Sequence, residues 1–238
     1  MRTTNKKPFL AVSLMMLFAT VASADTYSFV RVSGFGRGGE NEDLSGQLFV
    51  DVTQNLSDSS LVDFRFYNDV GIPSSITDVY FDDGGLLGIS SINSSAGVSF
   101  TNPATPGDLP SGNELDPAFE TTANFSADSA PPVSANGVDA DGEWVTITFS
   151  LQADQTYSDV INQINAGLGL EPGDDPTGTL RMGLHVQAIG VNGGSDSYVS
   201  DALVPVPGAA ALGAIGLGVL GLRKGRKTRS APARATLP

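Results

Sequence analysis

Val62-Asp63-Phe64-Arg65-Phe66-Tyr67 decides the class of fold. Val62, Phe64 and Phe66 alternate with Asp63, Arg65 and Tyr67. Strict alternation of apolar and polar side chains marks a strand with one face buried and one face wet. The same period runs outward along the chain. Leu48, Val50 and Val52 alternate with Phe49, Asp51 and Thr53. Val145, Ile147, Phe149 and Leu151 alternate with Trp144, Thr146, Thr148 and Ser150. Leu180, Met182, Leu184, Val186 and Ala188 alternate with Arg181, Gly183, His185 and Gln187. Tyr27 to Val32 and Ile76 to Phe81 are shorter runs of the same kind. Gly, Asn, Asp and Pro fill the joints. This pattern predicts a mainly β fold, an antiparallel β-sandwich or jelly roll.

One short helix interrupts the pattern. Thr156 caps it, Tyr157, Val160, Ile161 and Ile164 share a stripe, and Gly167 stops it. It is expected over an edge or opening of the sandwich. Ser99 to Val138 carries Pro103, Pro106, Pro110, Pro117, Pro131 and Pro132 and reads as long surface loops, with one short strand near Thr122 to Phe125. Gly34-Phe35-Gly36-Arg37-Gly38-Gly39 is a loop rather than a phosphate cradle, because no helix follows and no Lys-Ser/Thr closes it.

The two ends of the chain speak of address. Arg2, Lys6 and Lys7 precede the apolar run Pro8 to Ala22, and Ala22-Ser23-Ala24 is a small-x-small cleavage site before Asp25. That order is a signal peptide over residues 1–24. At the far end, Pro205-Val206-Pro207-Gly208 leads into an uncharged stretch, 208–222, and then the basic cluster Arg223, Lys224, Arg226, Lys227 and Arg229. Those 15 uncharged residues would make a helix of roughly 22 Å at about 1.5 Å per residue. A bilayer core is about 30 Å thick, so the span is short. The basic cluster belongs on the cytoplasmic side, which leaves the middle of the chain outside. Residues 230–238 read as a disordered tail.

Pro205, Val206, Pro207, Gly208 and the basic residues after the Gly/Ala/Leu-rich helix resemble the PEP-CTERM sorting signal, over residues 202–229. Val206 stands where the family's namesake motif has Glu. The resemblance implies processing by exosortase, a membrane transpeptidase-like enzyme of Gram-negative bacteria that make extracellular polysaccharide. It implies a passage through the membrane and an exopolysaccharide-rich destination at the cell envelope surface or matrix. Asn68 to Ile72, Ile76 to Phe81, Phe125 to Val138 and Gly183 to Gln187 resemble segments of uncharacterised exported proteins with such tails, which implies no activity.

Removing the two ends changes the charge. The segment 25–201 holds all 26 acidic residues and only Arg31, Arg37, Arg65 and Arg181 as cations, a formal −22 against −13 for the whole chain. Such a field repels phosphates and excludes nucleic-acid binding. The chain has no cysteine, so the exported domain relies on its core, helped by any cation it binds.

Candidate chemistry is sparse. His185 is the single histidine; it falls on the polar face of its strand and is expected to point outward or into a cleft as a hydrogen-bonding residue. One His and no Cys cannot make a His/Cys zinc site, and no Gly-x-Ser-x-Gly elbow occurs. Asp82-Asp83, Glu114 with Asp116, Asp174-Asp175 and Glu40 with Glu42 are pairs of the type used in glycoside cleavage, with nothing to select one. Asp139, Asp141 and Glu143 place hard oxygens close together as in half a calcium loop, but Ser150 stands where a calcium hand needs its last Glu. An ordinary turn before the Trp144 strand is the reading and no cofactor is expected; calcium at a site other than a calcium hand is the alternative. Trp144, the only tryptophan, lies on the polar face and is the candidate sugar contact. The reading is a non-catalytic exported surface or matrix protein. A carbohydrate-binding or carbohydrate-cleaving sandwich and a calcium-stabilised adhesion domain are the alternatives.

Overall fold

Alternation in the sequence becomes alternation in burial. The computed structural model describes residues 24–32, 42–83 and 85–204. The expected signal peptide with Ala22, the loop 34–39, Pro205 to Gly208, the hydrophobic stretch and the basic cluster lie outside them. Ala24, at the expected cleavage site, is the first described residue.

Ten strands form among the described residues: β1 (Asp25–Arg31), β2 (Leu48–Gln54), β3 (Leu61–Asn68), β4 (Ser75–Asp83), β5 (Leu86–Ser94), β6 (Phe100–Thr101), β7 (Ser126–Ser129), β8 (Trp144–Leu151), β9 (Leu180–Ile189) and β10 (Gly194–Val204). Every pairing is antiparallel, in the order β5-β8-β3-β2-β1-β10-β9-β4-β7-β6. The strands make one continuous sheet rather than two separate ones. Its end strands β5 and β6 are joined by the short turn 95–99, where Ser94 Oγ donates to the Val98 carbonyl at 2.7 Å. The sheet is thus nearly closed on itself, and one rolled sheet encloses the core.

Aromatic rings fill that core. Phe64 of β3 meets Phe81 of β4 at 5.1 Å between ring centroids, and Phe81 meets Phe149 of β8 at 4.7 Å, all edge to face. The third and eighth strands of the order therefore touch across the interior. Val62, Phe64 and Phe66 are fully buried, as their alternation predicts.

β4 and β9 depart from the one-face pattern and are buried on both faces over most of their length. The proline-rich stretch read as surface loops folds over their outer side. Tyr80, Ala104, Leu109 and Phe119 form a second, smaller apolar cluster there. Gly183 leaves room for it: a Cβ would stand 2.9 Å from Leu109 Cδ2 and 3.1 Å from Phe119 Cζ. Arg181 anchors the layer, donating to Asp82, to the Pro117 carbonyl at 2.9 Å and to the Ala118 carbonyl. The strand expected near Thr122 to Phe125 begins at Ser126 instead. Phe125 N–H donates back to the Thr122 carbonyl at 2.9 Å, and Asn124 takes φ 65°, so 122–125 is a turn. The same stretch also holds a four-residue helix, α1 (Val133–Asn136), and one 3₁₀ turn, Gly112–Glu114, neither expected from the sequence.

The expected helix is α2 (Tyr157–Gly167). Thr156 and Asp159 form a reciprocal capping box. Val160 and Ile164 enter the core, and Tyr157 Oη lies 2.8 Å from Asp25 Oδ2 and 2.9 Å from the Val52 carbonyl. The helix thus covers the end of the roll where β1 starts and β2 finishes.

That end also receives β10. Thr26 pairs with Val204, so both ends of the described domain emerge side by side. Antiparallel pairing puts the end of β3, the start of β4, the start of β8 and the end of β9 at the opposite pole. β9 has ten residues; at about 3.3 Å each the poles are about 30 Å apart.

Candidate functional site

A recess of about 290 Å³ opens at the pole away from the chain ends, lined by Val70, Pro73, Ser74, Ser75, Ser134, Ala135, Asp139 and Ala188. Its walls come from the β3–β4 turn, the first residue of β4, α1, the segment after α1 and the end of β9. A buried polar network shapes the turn. Gln47 Nε2 donates to Asn68 Oδ1 at 2.9 Å, to the Ile72 carbonyl at 3.0 Å and to Ser74 Oγ at 3.1 Å. Gln47 Oε1 accepts from Ile72 N–H at 2.9 Å. Gly190 N–H donates to the Pro73 carbonyl at 2.8 Å, tying β9 to the same turn.

Residues 137–138 cross β4 at the recess. Val138 and Ile76 exchange backbone hydrogen bonds of 3.0 and 3.1 Å. Only glycine permits the approach at 137, because a Cβ would lie 2.2 Å from Ser75 Oγ and 2.4 Å from the Ile76 carbonyl oxygen. Ser75 is 1 % exposed and its Oγ has no hydrogen-bond partner. Ala188 adopts φ 54°, a left-handed conformation that alanine rarely takes. An orphan buried hydroxyl and a strained non-glycine backbone therefore meet at one recess.

The candidate metal ligands lie beside it but are used separately. Glu143 Oε2 accepts from the N–H groups of Asp139 and Ala140 at 3.0 and 3.1 Å, closing a turn. Asp141 Oδ1 turns away to accept from Val70 N–H at 2.9 Å. Asp139 lines the recess, and partial burial of its carboxyl, then a hydrogen bond to Glu143, then that neighbour's charge raise its pKa. Among the described residues no three His, Asp or Glu side chains converge in a metal-binding group. Gly142 at φ 83° completes the turn. Glu143 and Asp141 thus satisfy backbone donors, while the Asp139 carboxyl lines the recess.

Trp144 is half-buried on the outer face of β8. The guanidinium of Arg65 sits 5.2 Å from its ring centroid and covers one face. Tyr67 pairs with Trp144 across β3 and stacks on Phe49 of β2 at 5.5 Å and 29°. The Tyr67 and Phe49 rings each spend one face on the other. Burial, then the charges of Asp51 and Asp69, push the Tyr67 phenol up to about 12.

His185 lies in a cleft, as its strand position predicts. Its Nδ1 is 2.8 Å from Asp78 Oδ2, and Thr77 Oγ1 lies 2.8 Å from the same oxygen. The cleft, about 250 Å³, is lined also by Pro110, Ser111, Glu114, Ser195, Asp196 and Ser197. Asp82, Asp83, Asp116, Asp174 and Asp175 are drawn into structural bonds. Asp82 holds Arg181, whereas Asp83 is buried against the Leu86 N–H. Asp116 accepts from Gly173, Asp174 from Glu171 and Asp175 from Thr177. Glu114 lines the His185 cleft, and Glu40 lies outside the described residues.

Ser74, Ser75, Ser134 and Ala188 escaped sequence reading. Serines carry no periodic signal, and the convergence of Ser74 with Ala188 joins segments more than 100 residues apart. The Ser74-Ser75 pair immediately after Pro73 was the one local hint of a polar turn. Comparisons with protein-family models, with curated proteins and with solved structures find no match to this chain.

Proposed function

We propose that this chain is a non-catalytic exported binding protein displayed at the cell surface or in the extracellular matrix of a Gram-negative bacterium. Its rolled sheet serves as a jelly-roll-like sandwich that carries a recess at the exposed pole. The tail, 202–229, directs sorting by an exosortase-type enzyme, with transient membrane insertion of 208–222. The observation that carries the reading is the pairing of Thr26 with Val204. Both flanking segments leave from one pole, and the recess stands at the other, about 30 Å away on the strand rise. A domain tethered from its ends would present that recess outward.

The test is display in the native host or a bacterium with an exosortase. The full chain is expected at the surface with a processed tail, and a chain ending at Val204 is expected in the medium. Equal surface retention and unchanged tail processing would remove the sorting claim. Ala24→Leu is expected to block leader removal, and mass spectrometry of the exported protein reads it.

A further inference from the structure

We infer that the outer face of β10 carries a docking track for an extended peptide segment with two lysines four residues apart. This goes beyond the pole recess and depends on neither display nor the tail.

Two pockets lie in series along that face. The first, about 250 Å³, is the His185 cleft, with Ser195 and Ser197 from β10 and Pro110, Ser111 and Glu114 from the proline-rich layer. The second, about 190 Å³, takes Val199 and Asp201 from β10 and Leu115, Asp116 and Pro117 from the same layer. Ser195, Ser197, Val199 and Asp201 recur at a spacing of two, the period of one strand face. One loop, 110–117, therefore borders both pockets. It is held by the fold itself: Gly112 N–H donates to the Leu109 carbonyl at 2.9 Å, and Arg181 donates to the Pro117 and Ala118 carbonyls.

The charged groups of these pockets are free to meet a partner. The Glu114 and Asp201 side chains are exposed and make no hydrogen bond or ion pair among the described residues. Asp116 spends one carboxylate oxygen on Gly173 N–H at 3.2 Å and keeps the other. The two arginines nearby are already neutralised, Arg31 by Asp196 and Arg181 by Asp82. Three carboxylates are left uncompensated on a segment of formal −22. Complementarity therefore asks for a cationic partner, and anionic polymers are repelled.

The lining selects the side chain. Val30, Leu115, Leu170 and Val199 suit the methylene stem of a lysine whose ammonium reaches Asp116 or Asp201. In the first pocket Glu114 and the Ser111 and Ser195 hydroxyls accept ammonium hydrogens. An amino sugar carries its ammonium directly on the ring and has no such stem. Spacing selects the conformation. The first pocket centres on Asp196 and the second on Ser200, four residues on. At about 3.3 Å each that is about 13 Å, the reach of positions i and i+4 in an extended chain. A helix would bring the same pair to about 6 Å.

The test is fluorescence anisotropy on the purified full chain in uncharged detergent at about 0.1 M salt. The probe is dye-labelled Ser-Lys-Val-Thr-Val-Lys-Ser, which holds its lysines at i and i+4. A Kd of about 100 μM is expected, weakening as salt rises. The same composition with adjacent lysines should bind about fivefold more weakly, because it fills one pocket at a time. Glu114→Gln and Asp201→Asn should each weaken binding about twofold to fivefold, the worth of one exposed ion pair, and nearly multiply in the double variant. Asp69→Asn, which removes the same charge in the turn after β3, should change nothing. Should a variant melt early, the adjacent-lysine peptide decides on the unaltered protein. No binding of the probe, equal binding of the adjacent-lysine peptide, or equal weakening by Asp69→Asn overturns the assignment. So does equally tight binding of spermine or of glucosamine oligomers, which would make the site one for polyamines or amino sugars.

Discussion

Replacing Arg181 with Met should loosen one layer of the protein and leave the rolled sheet intact. Arg181 is 6 % exposed. Its guanidinium donates to Asp82 through Nε at 3.0 Å and through Nη2, and to the Pro117 and Ala118 carbonyls. It also lies 5.4 Å from the Phe119 ring centroid. Met fills much of the stem volume but supplies no donor. Two loop carbonyls are then left unpaired, at about 1–3 kcal/mol each. Asp82 loses less, because it is partly exposed and keeps the Glu120 N–H at 3.2 Å. The total falls at about 3–4 kcal/mol, in the range for breaking a buried ion pair from one side. Asp82→Asn should cost less, about 1–2 kcal/mol, since both carbonyl bonds survive. Urea denaturation gives the stabilities. Hydrogen exchange locates the damage, with faster exchange expected at Gly112, Leu115 and Phe119 and unchanged protection in β2 and β3. A loss under about 1 kcal/mol, or uniform acceleration across all strands, would refute the view of Arg181 as the clamp of this layer.

Gly183→Val places a branched side chain where a Cβ already meets Leu109 and Phe119; overpacking should lower stability by about 1–3 kcal/mol in thermal melts. Phe149→Ala removes a ring that touches Phe64, Phe81 and Phe125, and calorimetry should show a loss of about 3–5 kcal/mol. Thr156→Ala breaks the capping box of α2, and the expected cost is about 1 kcal/mol, read in urea. Asp83 supplies a pH test: burial, partly opposed by the Leu86 and Gly85 N–H groups, raises its pKa above the ordinary 3.8. The folded state therefore holds this proton more tightly than the unfolded state, so its contribution to stability falls as pH rises from 3.8 through the raised value. Asp83→Asn should become relatively more stabilising across that window, and a variant whose advantage shrinks with rising pH would contradict the sign.

The sequence by itself determined six of the strands (β1, β2, β3, β4, β8 and β9) and the helix α2, because each depends on residues near one another in the chain; β5, β6, β7 and β10 carry no clean alternation and were not legible. Val62, Phe64 and Phe66 announce a buried face by their spacing, and Thr156 with Asp159 sets a helix start within one turn. It also determined the acidic charge and the expectations attached to the two ends. Closure of the sheet was not legible, since alternation is the same in one rolled sheet and in two stacked ones. The covered outer face of β4 and β9 was not legible either. Arg181 and Gly183 look like solvent-facing residues until the proline-rich segment folds onto them. The site shows the same division. Asp139, Asp141 and Glu143 attract notice as neighbours in sequence, yet only the tertiary structure sends Asp141 to Val70 and leaves Asp139 lining the recess. Local periodicity records which side of a strand is buried; what that side, or its opposite, comes to touch depends on contacts between distant segments, and those exist only once the chain has folded.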